Sequence, residues 1–365
     1  MIIKNIEVFG LRLNLKRPFI VSYERYEDMP TLLIRIETKS GVVGWGEAVP
    51  DQHVTGETWE STFQIITNEL TPLLINKSPF DISFIHKLMN EKIYKVPSAK
   101  AAIDIALYDL MGKLTGQPIY KLIGGRAHKE IQLPQEISLL SPEEMKQFAV
   151  KFSKEGFRDL KIKVGSSADT DIERIKMISK SIPNHVSLRV DANQGWTKEE
   201  AIYVIENTAD CNVKYYEQPV NAEDYKSLVH ISNTTKANIM ADESIHISSD
   251  LLKLIELGGA DLVNIKLMKS GGIFPAIALS NLAESANIKC HVGSMVESAI
   301  ATMAGAHLSV SQSIIKSNDM VGPLMFAEDV AQINLNNDII NLSDAPGLGI
   351  DVNEAFIREN ALFKG

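Results

Sequence analysis

Five apolar runs in the middle of this chain each end in a charged residue, and those ends fall at Lys163, Asp191, Glu217, Asp242 and Lys266, about 24 to 28 residues apart. That interval is one strand plus one helix. The runs are Leu160–Val164, Val186–Asp191, Val213–Glu217, Asn238–Asp242 and Leu262–Lys266. Alternation at this period folds through right-handed βαβ units into a parallel sheet, and in a parallel barrel all strand C-termini converge on one mouth. Two lysines and three carboxylates far apart in sequence are thereby expected around one ring.

An open doubly wound sheet shares the alternation, but no Gly-rich nucleotide fingerprint follows a first strand here. About seven units between residues 126 and 329 favour a closed (β/α) barrel of modified TIM type, its first strand read at Ile131 to Leu139. The preceding stretch is different in kind. Residues 1 to about 36 alternate apolar and polar positions, with turns read at Lys39-Ser40-Gly41 and at Gly44-Trp45-Gly46. Helical spacing follows from about 55 to 122, clearest at Ile103, Leu107, Leu110, Met111 and Leu114, and Gly116-Gln117-Pro118 stops it. Residues 1–125 thus form an α+β domain, 126–329 the barrel, and 330–365 a segment returning to the first domain.

The net charge of -9, from 37 basic and 46 acidic residues with no dense Lys/Arg block, argues against a nucleic-acid partner. Cys211 and Cys290 are too few for a disulfide framework and lack zinc-site spacing, which suits a reducing compartment. Charge interrupts Met1–Glu7 too early for a signal-peptide core, and no apolar run approaches about 20 residues, so a soluble cytoplasmic protein without a membrane partner is expected. Ser270-Gly271-Gly272 has no P-loop lysine and threonine beside it and reads as a helix start.

Asp191, Glu217 and Asp242 supply hard oxygens from adjacent strand ends, which suits one Mg²⁺ per subunit. Each alone has a plainer reading as a helix cap or turn residue; three in succession do not. Asn193 stands two residues after the first ligand and is expected to support it. Lys161 and Lys163 alternate with Leu160, Ile162 and Val164, so both point into the mouth. Lys266 answers them from the far side of the carboxylates. Burial beside a cation is expected to lower the pKa of these lysines toward the range of a general base. Two bases across a metal-bound carboxylate define a chemistry: one removes the α-proton, the metal stabilises the enediolate charge, and the other returns a proton to the opposite face. The product is the inverted stereocentre.

These residues resemble the enolase superfamily, and the Lys161-Ile162-Lys163 and Lys266 pattern is similar to its muconate-lactonising branch. The likeness runs from Gly44-Trp45-Gly46-Glu47-Ala48 through Asp191–Trp196, Glu217-Gln218-Pro219, Met240–Ser244 and Ile265–Met268 to Gly293-Ser294-Met295. It implies that the first domain caps the barrel. It also implies Lys163 and Lys266 as the acid/base pair, Asp191, Glu217 and Asp242 as Mg²⁺ ligands, and Lys161 and Ser294 as substrate contacts. Within the branch the dipeptide epimerases are most similar, implying a small dipeptide substrate epimerised at its C-terminal residue and a homo-oligomeric enzyme.

Two departures bear on specificity. Where Ala-Glu epimerases carry an Arg for the glutamate side chain, this chain has Glu24, followed by Arg25. Where the family has two aspartates for the substrate ammonium, this chain has Asp319 and Val321, leaving Glu136 on the first barrel strand as a second candidate carboxylate. A dipeptide epimerase not restricted to glutamate is the leading expectation. A cycloisomerase or succinylbenzoate synthase, and an N-acylamino-acid racemase needing no ammonium clamp, are the enzymatic alternatives; a noncatalytic scaffold would have lost some of the bases or ligands. His291, alone at a strand end, reads as structural.

Overall fold

The computed structural model describes residues 1–365. Three antiparallel strands, β1 (Ile3–Ile20), β2 (Arg25–Thr38) and β3 (Val43–Ala48), open the chain. Against them lies a helix, Pro97–Thr115, which starts with proline at its first turn and stops at Gly116 in the left-handed conformation. Its periodic residues serve two cores at once. Ile103, Leu107 and Leu110 pack into the first domain with Ile3, Leu32 and Ile34, while Ile105, Tyr108 and Met111 face the larger core shared with the barrel.

Gly44 and Gly46 do not make a turn, as the sequence suggested; they lie inside β3. A Cβ at Gly46 would stand 1.9 Å from the carbonyl oxygen of Ala102, and one at Gly44 2.4 Å from that of Ala106. The missing side chains let strand and helix backbones touch. Gly46→Ala must push them apart, and we expect a loss of about 1–3 kcal/mol, read as a lowered midpoint in urea with unchanged slope.

The barrel contributes eight parallel strands rather than about seven. The stretch read as its first strand is two pieces, β4 (Ile131–Gln132) and β5 (Gln135–Ile137), because Pro134 has no N–H to donate and interrupts the ladder. After them come β6 (Asp159–Lys163), β7 (Ser187–Asp191), β8 (Val213–Glu217), β9 (Ile239–Ala241), β10 (Leu262–Ile265), β11 (Lys289–Val292) and β12 (Ile315–Asn318). Strands β5 to β12 pair in sequence order into one curled sheet. No ladder joins β12 to β5; the seam is crossed near its base by Asn318 Nδ2 donating to the Gln132 carbonyl at 3.5 Å.

The final segment divides its pairing. β13 (Leu335–Asn336) and β14 (Ile339–Ile340) form a small antiparallel sheet with β4, whereas β15 (Phe363–Lys364) joins the edge of β1. Buried carboxylates of the first domain also cap barrel helices. Glu47 accepts from the Ser298 N–H at 2.7 Å and the Ala301 N–H at 2.8 Å, opening helix Ala299–Ser311. Asp104 accepts from the N–H groups of Ile273 and Phe274, and a Cβ at Gly272 would collide with it. The Ser270-Gly271-Gly272 run is therefore a helix start, as read. No helix is long and apolar enough to cross a membrane.

Candidate active site

Register places the charged strand ends side by side. Lys163 pairs with Asp191, and Asp191 with Glu217; Asp242 and Lys266 are the first residues beyond β9 and β10. All five are buried. Lys163 and Lys266 flank the carboxylates from opposite ends of this arc, and Leu160, Ile162 and Val164 face the outer core as alternation requires.

Each carboxylate has one oxygen tied down from outside the ring and turns the other toward the centre. Asp191 Oδ1 accepts from the Asn193 N–H at 3.0 Å, Glu217 Oε1 from Asn264 Nδ2 at 2.7 Å, and Asp242 Oδ1 from the fully buried Lys269. The opposite oxygens meet the other lysines. Asp191 Oδ2 lies 3.0 Å from Lys161 Nζ and 2.8 Å from Lys163 Nζ, Glu217 Oε2 lies 2.8 Å from Lys161, and Asp242 Oδ2 lies 2.7 Å from Lys266. For Glu217 Oε2 and Asp242 Oδ2 these are ion-pair distances without hydrogen-bond geometry, so both oxygens lack a hydrogen-bonding donor. The Lys161 ammonium stands among three carboxylates, those of Asp191, Glu217 and Asp319. Hard oxygens from three adjacent strands are the donor type that suits Mg²⁺, and in this structure lysine ammoniums stand against them.

Burial, and then the neighbouring Asp191, pushes Glu217 up to about 8. Burial would pull Lys163 and Lys266 down, as the sequence suggested. Instead Asp191 and Glu136 outweigh burial at Lys163, and Asp242 and Glu243 at Lys266, holding both above the ordinary lysine range. A divalent cation among the same carboxylates would oppose that upward shift, favouring the neutral amine that a base requires.

A cavity lies over the ring, between the barrel mouth and the first domain. Glu136, Lys161, Lys163, Lys266, Ser294 and Asp319 line its floor, and Phe19, Val21, Tyr23, Tyr26 and Asp51 its roof. Glu136 is engaged with Lys163 at 2.9 Å. Asp319 Oδ2 lies 2.6 Å from Lys161 and 3.3 Å from His291 Nε2, while His291 Nδ1 bonds Ser317, so the histidine read as structural stands against a residue of the cavity floor. Ser294 Oγ donates to the Asp319 carbonyl at 3.0 Å. Val321 is buried outside the cavity lining.

Glu24 does not face the cavity, and neither does Arg25. Phe19 pairs with Tyr26 across the β1–β2 hairpin, which turns Val21 and Tyr23 inward. Glu24 stands half-exposed 3.9 Å from His53, and Arg25 pairs with Glu27 at 2.9 Å. Both line a neighbouring groove instead.

Comparison with known proteins agrees with this architecture. Residues 144–356 match the family model "Enolase C-terminal domain-like", and residues 5–124 match "Mandelate racemase / muconate lactonizing enzyme, N-terminal domain". The chain belongs to the enolase superfamily, in its muconate-lactonising subgroup, and is an isomerase of the racemase and epimerase type. It is 43% identical to an N-succinyl-L-Arg/Lys racemase of Bacillus cereus, over 100% of this chain and 99% of that one, and superposes on its crystal structure with a TM-score of 0.99. A hydrophobic dipeptide epimerase of Enterococcus faecalis is 37% identical over 96% of this chain and 99% of its own. Its structure, complexed with Mg and L-Leu-L-Tyr, gives a TM-score of 0.93, at 36% identity and the same coverage. An L-Lys-D/L-Arg epimerase of Desulforapulum autotrophicum is 32% identical, covering 96% and 99%.

Asp51, Tyr23, Tyr26, Asn264 and Lys269 escaped the sequence reading. Lys269 was the most legible of them, a second lysine inside the apolar stretch from Leu262 to Ile273. Asp51 was not legible, because only the docking of the first domain brings the end of β3 over the barrel mouth.

Proposed function

We propose that this chain is a Mg²⁺-dependent racemase of N-acylated amino acids with cationic side chains, rather than a dipeptide epimerase. The observation that carries the choice is the missing ammonium clamp. Val321 is apolar, Asp319 is engaged with Lys161 and His291, and Glu136 is engaged with Lys163. An acylated nitrogen carries no charge and needs no such clamp. The 43% identity to the Bacillus cereus racemase supports the same choice.

Asp191, Glu217 and Asp242 would hold the metal, which when bound supplies Lewis-acid stabilisation of charge developing on the substrate carboxylate. The chain's own groups do the rest. Lys163 and Lys266 sit where one takes the α-proton and the other delivers a proton to the opposite face; the C–H electron pair passes to the carboxylate in the first step and returns to carbon in the second. Lys161, held by three carboxylates, places a positive charge beside the same carboxylate. The ring centre of Phe19 lies 5.5 Å from Lys163 Nζ, on the roof of the same cavity.

Side-chain preference follows from Asp51. Its carboxylate accepts from Tyr26 Oη at 2.6 Å and from the His53 N–H at 2.7 Å, which fixes it at the junction between the cavity and the outer groove. Glu24, Glu27, Asp28, Glu57 and Glu60 continue that groove, against Arg12 and Arg25. A lysine or arginine side chain leaving the cavity past two tyrosines meets this acidic wall. Kinetics with N-acetyl- and N-succinyl-arginine against L-Ala-L-Arg test the reading: the N-acyl substrates should have the higher kcat/KM, and turnover of the dipeptide alone would overturn it. Asp51→Asn should lower kcat/KM for an arginine substrate about 10- to 100-fold, the worth of a charge-assisted hydrogen bond, and change a methionine substrate less than about threefold.

A further inference from the structure

Strand alternation puts His291 inside the barrel, because Cys290 and Val292, its neighbours in β11, belong to the outer core. The imidazole is fully buried. Register sets Ser317 of β12 opposite it, and Nδ1 lies 2.8 Å from that hydroxyl. Nε2 faces Asp319 Oδ2 at 3.3 Å, within ion-pair range though without hydrogen-bond geometry. A hydroxyl can donate or accept, whereas an ionised carboxylate only accepts. Both contacts are attractive when the ring carries its proton on Nε2 and Ser317 donates to Nδ1. Burial holds the imidazole below its ordinary range, which favours this neutral form.

The rest of Asp319 is pinned as well. Its N–H donates to the Val292 carbonyl at 3.0 Å, and its own carbonyl accepts from Ser294 Oγ at 3.0 Å. The carbonyl before it, on Asn318, accepts from Arg189 Nη1 at 2.7 Å, and Lys161 Nζ donates to Oδ2 at 2.6 Å. Only Oδ1 is left without a donor. Among the side chains lining the cavity, Asn193 Oδ1 is the one other buried oxygen in that state. It is Asp319, however, that touches Lys161, the cation placed beside the substrate carboxylate. The substrate nitrogen is bonded to the carbon that bears this carboxylate. An ammonium brings three N–H donors, which one oxygen cannot meet; an acylated amine brings a single N–H.

We propose that His291 is a positioning residue: with Lys161 it fixes Asp319 Oδ2, and so presents Oδ1 as a single acceptor for the amide N–H of the substrate. This rests on the N-acylamino-acid reading above and deepens it. The test compares N-acetyl-arginine with its oxygen isostere, in which an ester oxygen replaces the N–H, read in kcat/KM, or in Ki where the isostere binds without turnover. Wild-type enzyme should favour the amide by about tenfold or more, the worth of a hydrogen bond to a charged acceptor. In His291→Leu that preference should fall by about threefold or more, whereas His291→Gln, which can still donate to Asp319, should keep most of it. Both variants are compared with wild type, so the intrinsic reactivities of the two compounds cancel. Equal losses on both compounds in His291→Leu would show a merely structural histidine and overturn the proposal, as would a wild-type preference near unity. Ser317→Ala, which frees the other side of the ring, should shift the preference in the same direction and decides the matter if His291→Leu does not fold. Wild-type turnover of L-Ala-L-Arg with none of N-acetyl-arginine would instead remove the N-acyl reading itself.

Discussion

Lys163→Ala and Lys266→Ala are each expected to lower racemisation by about 10²- to 10⁴-fold, the range associated with loss of a positioned general base. What distinguishes the two-base geometry from a single shuttling base is the residual chemistry. In D₂O each variant should still exchange the α-proton of one enantiomer, and the two variants should retain opposite enantiomers. The structure motivates the asymmetry, because the lysines approach from opposite ends of the carboxylate arc and share no partner: Lys163 is held by Asp191 and Glu136, Lys266 by Asp242. Exchange of both enantiomers by either variant would show that one lysine serves both faces. Each substitution leaves a buried carboxylate with less compensation, so folding should be checked by circular dichroism.

Glu217→Gln should remove Mg²⁺ binding and activity together. Glu217 is the middle ligand, and its Oε2 is one of the two buried carboxylate oxygens in the ring that lack a hydrogen-bonding donor. In the wild type, Mg²⁺ at about a hundredfold excess over its Kd should raise stability by about 2.7 kcal/mol. In the variant the shift should vanish, because a neutral amide is a weak ligand and Asn264 still holds the other side of the residue. Calorimetric titration with Mg²⁺ alone reads this without turnover. Unaltered Mg²⁺ affinity in Glu217→Gln would place the metal elsewhere.

The ring was legible because its information is periodic. A charged residue at the end of an apolar run, repeated at the length of one strand and helix, locates five side chains at one mouth with no knowledge of packing. Lys161 was equally legible, since strand alternation fixes it on the same face as Lys163. Gly44 and Gly46 were misread as a turn because a glycine in sequence does not say whether it relieves a dihedral or a contact; here Ala102 and Ala106 of another element decide. Pro134 was visible in the sequence, and its effect on the first barrel strand follows from its missing N–H.

Specificity was the least legible part, for a physical reason. The roof of the cavity comes from a hairpin turn and from the end of β3, whose facing depends on a register that sequence does not fix at a turn. One residue of offset separates Tyr23, which faces the cavity, from Glu24, which does not. The departure at Val321 was visible in the sequence, as was the N-acylamino-acid alternative it leaves open; the structure adds that Asp319 and Glu136 already pair with lysines.

The central claim is tested most directly by incubating the Mg²⁺-loaded enzyme in D₂O with matched N-succinyl-L-arginine, N-succinyl-L-lysine, L-Ala-L-Arg and L-Ala-L-Glu, and following α-deuterium by NMR alongside optical rotation. The account predicts deuterium uptake with racemisation of both N-succinyl compounds, faster than of either dipeptide. Turnover of the dipeptides with no exchange in the N-succinyl compounds would contradict it.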